Sequence, residues 1–195
     1  MSDSTKSDNI DLLDAGSARW QLATRYNSVT DEHIPHVTSI DWEHELVHEG
    51  KMFSISGVLT ALGAGATGYF HGLTDSEIVH FRQAAIGVTG APVDITFYED
   101  ATVSANGSAI TSRNRNRNSS NTATLQSFIG PTITDLGTAI EVGQIPVAGP
   151  SKQSGEASLF GTEWVLKNST SYLIEITNND SQAIDVGYNF LWYEL

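Results

Sequence analysis

Residues 44–48 read His-Glu-Leu-Val-His, the H-E-x-x-H pattern of zinc metalloproteases. In those enzymes one helical turn sets both histidines on a single face to grip the metal. The glutamate between them acts as base on the metal-bound water. The residues around this pattern point elsewhere. Trp42, His44, Leu46 and His48 alternate with Glu43, Glu45, Val47 and Glu49, and Gly50 leads into the strand-like run Lys51–Ser56. This alternation predicts extended chain over residues 40–50, entering an antiparallel sheet. In a strand, His44 and His48 would stand ~13 Å apart, too far for one zinc. The continuation is also wrong. A metzincin would carry glycine at 51 and histidine at 54, where this chain has Lys51 and Ser54, and Glu77 falls in a region without helix signals. No catalytic residue, metal ligand or cofactor is therefore expected. A weaker metal reading rests on His33, His36, His44 and His48, which crowd one region beside several carboxylates. The competing reading makes them edge or interface histidines hydrogen-bonded to neighbours.

A second constellation is Arg113-Asn114-Arg115-Asn116-Arg117-Asn118, which holds three of the ten basic residues. In an extended segment the three arginines would share one side and the three asparagines the other. Bunched like charges call for an opposing surface, and each guanidinium can take a carboxylate bidentately. Contact with an acidic partner or subunit, a solvated loop between strands, and phosphate binding are the three readings. The charge balance opposes the last.

The elements that must position these residues are short strands. Val93–Glu99 and Tyr172–Thr177 alternate apolar and polar residues, and Val186–Tyr193 is aromatic and β-favouring. Turn clusters separate such runs at Ala105–Ser108, Lys167–Thr170 and Asn178–Ser181. Strands are expected near 50–59, 66–71, 78–88, 93–99, 120–129, 138–147, 163–167, 171–177 and 184–193. The fold class read from this is all-β: an antiparallel β-sandwich, jelly-roll-like, over residues 37–195. Residues 1–36 are acidic with little apolar periodicity. They read as an extended N-terminal arm, with a short helix from about Asn9 to Ala15, and either lie on a partner or form a flexible leader. Val58–Ala66 and Ala84–Val88 are apolar or small on both sides, so they lie mid-sandwich or face another subunit.

Bulk composition narrows the function classes. The chain has 195 residues, a net charge of −13 and no cysteine. Disulfides and thiolate metal sites are excluded, which fits assembly in a reducing cytosol. Duplex-binding proteins present a basic face, so no nucleic-acid partner is expected. No apolar run approaches the ~20 residues that span a bilayer, so no membrane partner is expected. The polar, acidic start MSDSTKSDNIDLLD is unlike a secretion signal.

Residues Ile40–Gly50, read as "hydrophobic, Asp, aromatic, x, His, x, hydrophobic, x, His, x, Gly", resemble a family of tailed-bacteriophage virion proteins. Ile95–Val103, the Arg-Asn repeat ending at Asn118-Ser119, and the blocks Glu163–Lys167, Tyr172–Asn178 and Trp192–Glu194 are similar to the same family, in the same order. The resemblance covers about residues 40–195; residues 1–36 have no counterpart in it. It implies a small β-sandwich that decorates or cements a capsid exterior, often as a homotrimer, with the major capsid protein as partner and no enzymatic chemistry. The expected partner contacts are Arg113, Arg115 and Arg117, with Trp20 and Tyr26 of the arm. The alternative is a head-fibre or tail-tip module that binds a receptor or glycan.

Overall fold

A computed structural model of the chain describes residues 10–12, 20–27, 32–38, 41–90, 92–146, 156–158 and 163–195, of which 10–38 and 156–158 are described as backbone only. Two compact units divide the chain, residues 1–48 and 49–195.

The first unit contains a three-stranded antiparallel sheet of β1 (Ile10–Leu12), β2 (Trp20–Asn27) and β3 (Glu32–Thr38), in that order. Ile10 pairs with Leu22 and Leu12 with Trp20, so the helix expected from Asn9 is replaced at these positions by a strand. A helix, α1 (Trp42–His48), follows. The extended segment expected over 40–50 is thus overturned. Three local causes favour the helix. The Asp41 side chain accepts a hydrogen bond from the Glu43 backbone N at 2.8 Å, a helix N-cap. Glu43 and Glu45 sit in the first turn and His48 in the last, as the helix dipole favours. Gly50, at φ +70°, then provides the left-handed stop.

The second unit is the β-sandwich. Its strands are β4 (Met52–Leu62), β5 (Thr67–Leu73), β6 (Val79–Val88), β7 (Val93–Glu99), β8 (Thr102–Ala105), β9 (Ser108–Ile110), β10 (Arg113–Asn114), β11 (Gln126–Ile129), β12 (Thr132–Asp135), β13 (Thr138–Ile145), β14 (Glu156–Ser158), β15 (Trp164–Leu166), β16 (Ser171–Asn178) and β17 (Ile184–Glu194). The expected strands are found, except that 120–129 narrows to β11. Setting aside β8–β12 and β14, eight strands remain. They pair first with last: β4 with β17, β5 with β16, β6 with β15 and β7 with β13. This is a long antiparallel ribbon folded over on itself, the jelly-roll arrangement. One sheet runs β10-β4-β17-β6, with β14 and β15 both on the far side of β6. The other runs β13-β7-β16-β5-β11-β9.

The alternation along each strand fills the space between the sheets. Phe53, Ile55, Phe81, Phe190 and Trp192 come from the first sheet; Phe70, Ile95, Phe97, Ile174 and Ile176 come from the second. Phe70 meets Phe190 edge-on with centroids 5.1 Å apart, and Phe81 stacks on Phe97 at 5.9 Å. The two small-residue segments part company here. Ala84, Ala85, Ile86 and Val88 are buried, so β6 lies mid-sandwich, whereas Val58, Thr60, Ala61 and Ala64 are exposed.

Residues 100–137 form an insertion between the fourth and fifth ribbon strands. It adds β10 to one sheet beside β4, and β11 with β9 to the other beside β5. A single segment therefore bridges both sheets along one side of the sandwich, and it carries the arginines.

Candidate functional site

Three groups of side chains stand out. The first is the histidine pair. In α1, His44 and His48 are one turn apart, and their Nε2 atoms approach to 2.9 Å. The ring centroids are 4.5 Å apart and the planes inclined at 68°. Both residues are exposed, while Leu46 on the other side of the helix is buried. The strand-based separation of ~13 Å is therefore corrected to a contact. What remains missing for hydrolysis is a third ligand: among the described residues no three His, Cys, Asp or Glu side chains are grouped to hold a metal. His33 lies opposite Tyr26 and His36 opposite Ala23 in the β2–β3 pairing, but their side chains are outside the described residues. The same holds for Trp20 and Tyr26, expected as partner contacts. Trp20 pairs in register with Leu12.

The second group is the arginine segment. It is extended only at Arg113 and Asn114, which pair with Ser54 and Phe53 of β4. Beyond them the chain turns, and side-chain acceptors build the turn. Asn114 Oδ1 accepts from Asn116 N at 2.8 Å, Asn116 Oδ1 from Asn118 N at 3.0 Å, and Ser119 Oγ from Asn121 N at 3.1 Å. These are Asx- and Ser-type turns, which suit Asn and Ser side chains. Asn114 is buried and its amide donates to Gly50 O at 2.8 Å and Asn121 O at 3.1 Å. Gly50 is needed for two reasons: its positive φ, and the absence of a Cβ that would collide with Ser119 Oγ. Extended chain, which would set all three arginines on one side, is thus confined to the first pair, and a braced turn follows. Arg113, Arg115 and Arg117 are nonetheless all exposed. Among the described residues, ion pairs join Lys51 to Glu49 and Lys167 to Glu99 and Asp100, and none of these three arginines takes part in them.

Beside the turn lies a groove of about 350 Å³, lined among others by Phe53, Ile110, Asn114, Asn121, Leu125 and Ser127. Its wall is fixed by a buried carboxylate. Glu194 accepts from Thr124 N at 2.8 Å, Thr124 Oγ1 at 2.9 Å, Leu125 N at 3.0 Å and Trp192 Nε1 at 2.9 Å. Four donors on one carboxylate compensate its burial.

The third group was missed in the sequence. Phe70, Ile174 and Phe97 point into the core, so their neighbours Tyr69, Glu175 and Tyr98 point away from it on the outer face of the second sheet. Glu175 is in register with Tyr69, and Tyr98 Oη donates to Glu175 Oε1 at 3.3 Å. Burial, with Glu175 alongside, pushes the Tyr69 hydroxyl up to about 12, and the same two causes raise Tyr98. A carboxylate flanked by two phenols offers acceptors and donors beside aromatic faces. The available signal was Glu175, the one charged residue of β16.

The two remaining histidines are structural. His71 is buried, bonds Ser171 Oγ through Nε2 at 3.0 Å and stacks on Phe128; burial lowers its pKa. His80 stacks on Tyr193, with Nδ1 3.4 Å from Glu163.

Comparison with protein-family models, with curated proteins and with solved structures finds no match. Among the described residues no helix is long and apolar enough to cross a membrane.

Proposed function

We propose that this chain is a bacteriophage virion structural protein that decorates the capsid exterior and stabilises the shell. In this reading it works as a homotrimer bound to the major capsid protein, with residues 1–36 reaching onto the shell or a neighbouring copy. The observation that carries the reading is the arginine turn. Three exposed guanidiniums are held on one braced segment of a protein whose net charge is −13. Such a turn suits an acidic protein surface, since each arginine can grip a carboxylate in two-pronged fashion. Exposed apolar residues, Val58 on β4 and Val142 on the edge strand β13, supply area for contact between copies. Cementing a shell takes no reacting group. It takes repeated interfaces, for which ~1,600 Å² is the standard size. The resemblance of its motifs, in their order, to those of phage virion proteins supports the virion setting.

Cosedimentation with capsids stripped of the protein tests this. The wild-type chain should pellet with shells and dissociate as salt rises. The triple variant R113A/R115A/R117A should lose at least ~10-fold in affinity, and deletion of residues 2–36 should release the protein. Equal binding by the triple variant, or copies confined to one vertex in particle images, would refute the reading.

The Tyr69–Glu175–Tyr98 group favours a second reading, a receptor- or glycan-binding module. Tyrosine rings stack on the apolar faces of sugars, and Glu175 would take their hydroxyls. Tyr98→Ala separates the two: it should abolish cell binding under the second reading and leave shell binding intact under the first.

A further inference from the structure

The close approach of His44 and His48 is not used by either reading above. We infer that the two imidazoles form a bidentate chelate for a divalent transition-metal ion of the class that prefers nitrogen ligands, with water completing its coordination.

Geometry comes first. A metal–imidazole bond is ~2.0–2.1 Å long. Two such bonds at right angles place the nitrogens about 2.9 Å apart, and at the tetrahedral angle about 3.4 Å apart. The Nε2 atoms already stand at 2.9 Å, the separation that square-planar or octahedral coordination requires. The rings turn from facing each other so that both lone pairs converge on the ion, while the nitrogens keep this spacing.

The pair is also pre-organised. Four-residue spacing on a helix stacks the two side chains on one face. The helix is capped by Asp41, and its Leu46 is buried. Less rotamer freedom is lost on binding than from two histidines on mobile chain. The protons present no obstacle. In the metal-free pair one Nε2–H donates to the lone pair of the other Nε2. Metal binding requires both lone pairs, so both rings carry their proton on Nδ1, and the ring that donated changes tautomer. Glu43, Glu45 and Glu49 lie on the same short stretch, and their charge favours a cation nearby.

Two protein ligands make a binding site and not a hydrolytic one. Catalytic zinc is ordinarily held by three protein ligands, and no third stands near among the described residues. The chemistry inferred is therefore capture of an ion from solution. Selectivity should follow the intrinsic order for imidazole ligands, copper above nickel and both above manganese.

Calorimetric titration of the full chain, stripped of metal beforehand, tests this with Cu²⁺, Ni²⁺ and Mn²⁺ salts. One Ni²⁺ per chain is expected, with Cu²⁺ tighter and Mn²⁺ much weaker. His44→Ala and His48→Ala should each reduce Ni²⁺ affinity at least ~10-fold, and the double variant should fall little further, since either change destroys the chelate. Unchanged Ni²⁺ affinity in the double variant, or equal affinity for Ni²⁺ and Mn²⁺, would overturn the inference. Electron paramagnetic resonance of the Cu²⁺-loaded wild-type chain gives a readout independent of variant folding. Coupling to two imidazole nitrogens supports the chelate; coupling to one or none refutes it.

Discussion

The carboxylate of Glu194 holds Thr124 twice, accepting from its backbone N at 2.8 Å and its Oγ1 at 2.9 Å, across 70 positions of sequence. Leu125 N and Trp192 Nε1 complete the set. The last strand thereby clamps the segment that carries the arginines. Glu194→Gln would set an amide NH₂ against N–H donors and leave some of them unpaired in a buried place. We expect a loss of about 2–3 kcal/mol in urea unfolding. Backbone amides of 120–126 should also exchange faster with solvent.

Asn114 braces the same segment from its other end. Asn114→Ala removes donors to Gly50 O and Asn121 O and the acceptor for Asn116 N. A cost of about 1–3 kcal/mol is expected. Shell binding should weaken although no arginine is changed, because the turn that presents Arg115 and Arg117 is released. Unaltered amide exchange over 115–121 would show that the turn is held by something else.

Alkaline stability should depend on Tyr69. Its hydroxyl is raised from 10.0 to about 12, first by burial and then by Glu175. The unfolded chain therefore loses this proton before the folded chain does. The stabilisation is fully present below the unfolded value and declines as pH rises from 10.0 towards 12. Ultraviolet titration of the phenols should show one fewer late-titrating group in Tyr69→Phe. The fall in urea midpoint across this window should also be shallower in that variant.

Acid stability should depend on Glu99. The Lys167 ammonium holds its carboxyl below the ordinary value of 4.5, assisted by the Tyr172 hydroxyl and opposed by burial. A carboxylate depressed in the fold stabilises it above the unfolded pKa, and that contribution disappears as pH falls through the folded value. Urea midpoints measured downward from about pH 6 should drop less for Glu99→Gln than for the wild-type chain. Parallel curves would mean that the Glu99–Lys167 contact is not formed in solution.

Much of the fold was legible residue by residue. Val93–Glu99 was read from the sequence with the bounds the strand has, and Tyr172–Thr177 and Val186–Tyr193 lie within β16 and β17. A strand with one face in the core must alternate, and alternation is a local property. The short strands β8, β9, β10 and β12 escaped notice. Two to four residues carry too little pattern, and their partners lie far away in sequence. Tyr69 and Tyr98 could not be joined to Glu175 without the register of three strands.

The sequence by itself determined the class: an acidic, cysteine-free chain of alternating strands and turn clusters, with three arginines gathered in one segment. Tertiary structure decided which strands meet, because β4 and β17 find each other only by closing a loop of more than a hundred residues. It also decided the fate of His44 and His48. Residues four apart share a face in both a strand and a helix, so the side-chain pattern of Trp42–His48 suits either. The Asp41 cap, the Gly50 stop and the burial of Leu46 select the helix, and with it a separation of 2.9 Å between nitrogens that a strand would have held far apart.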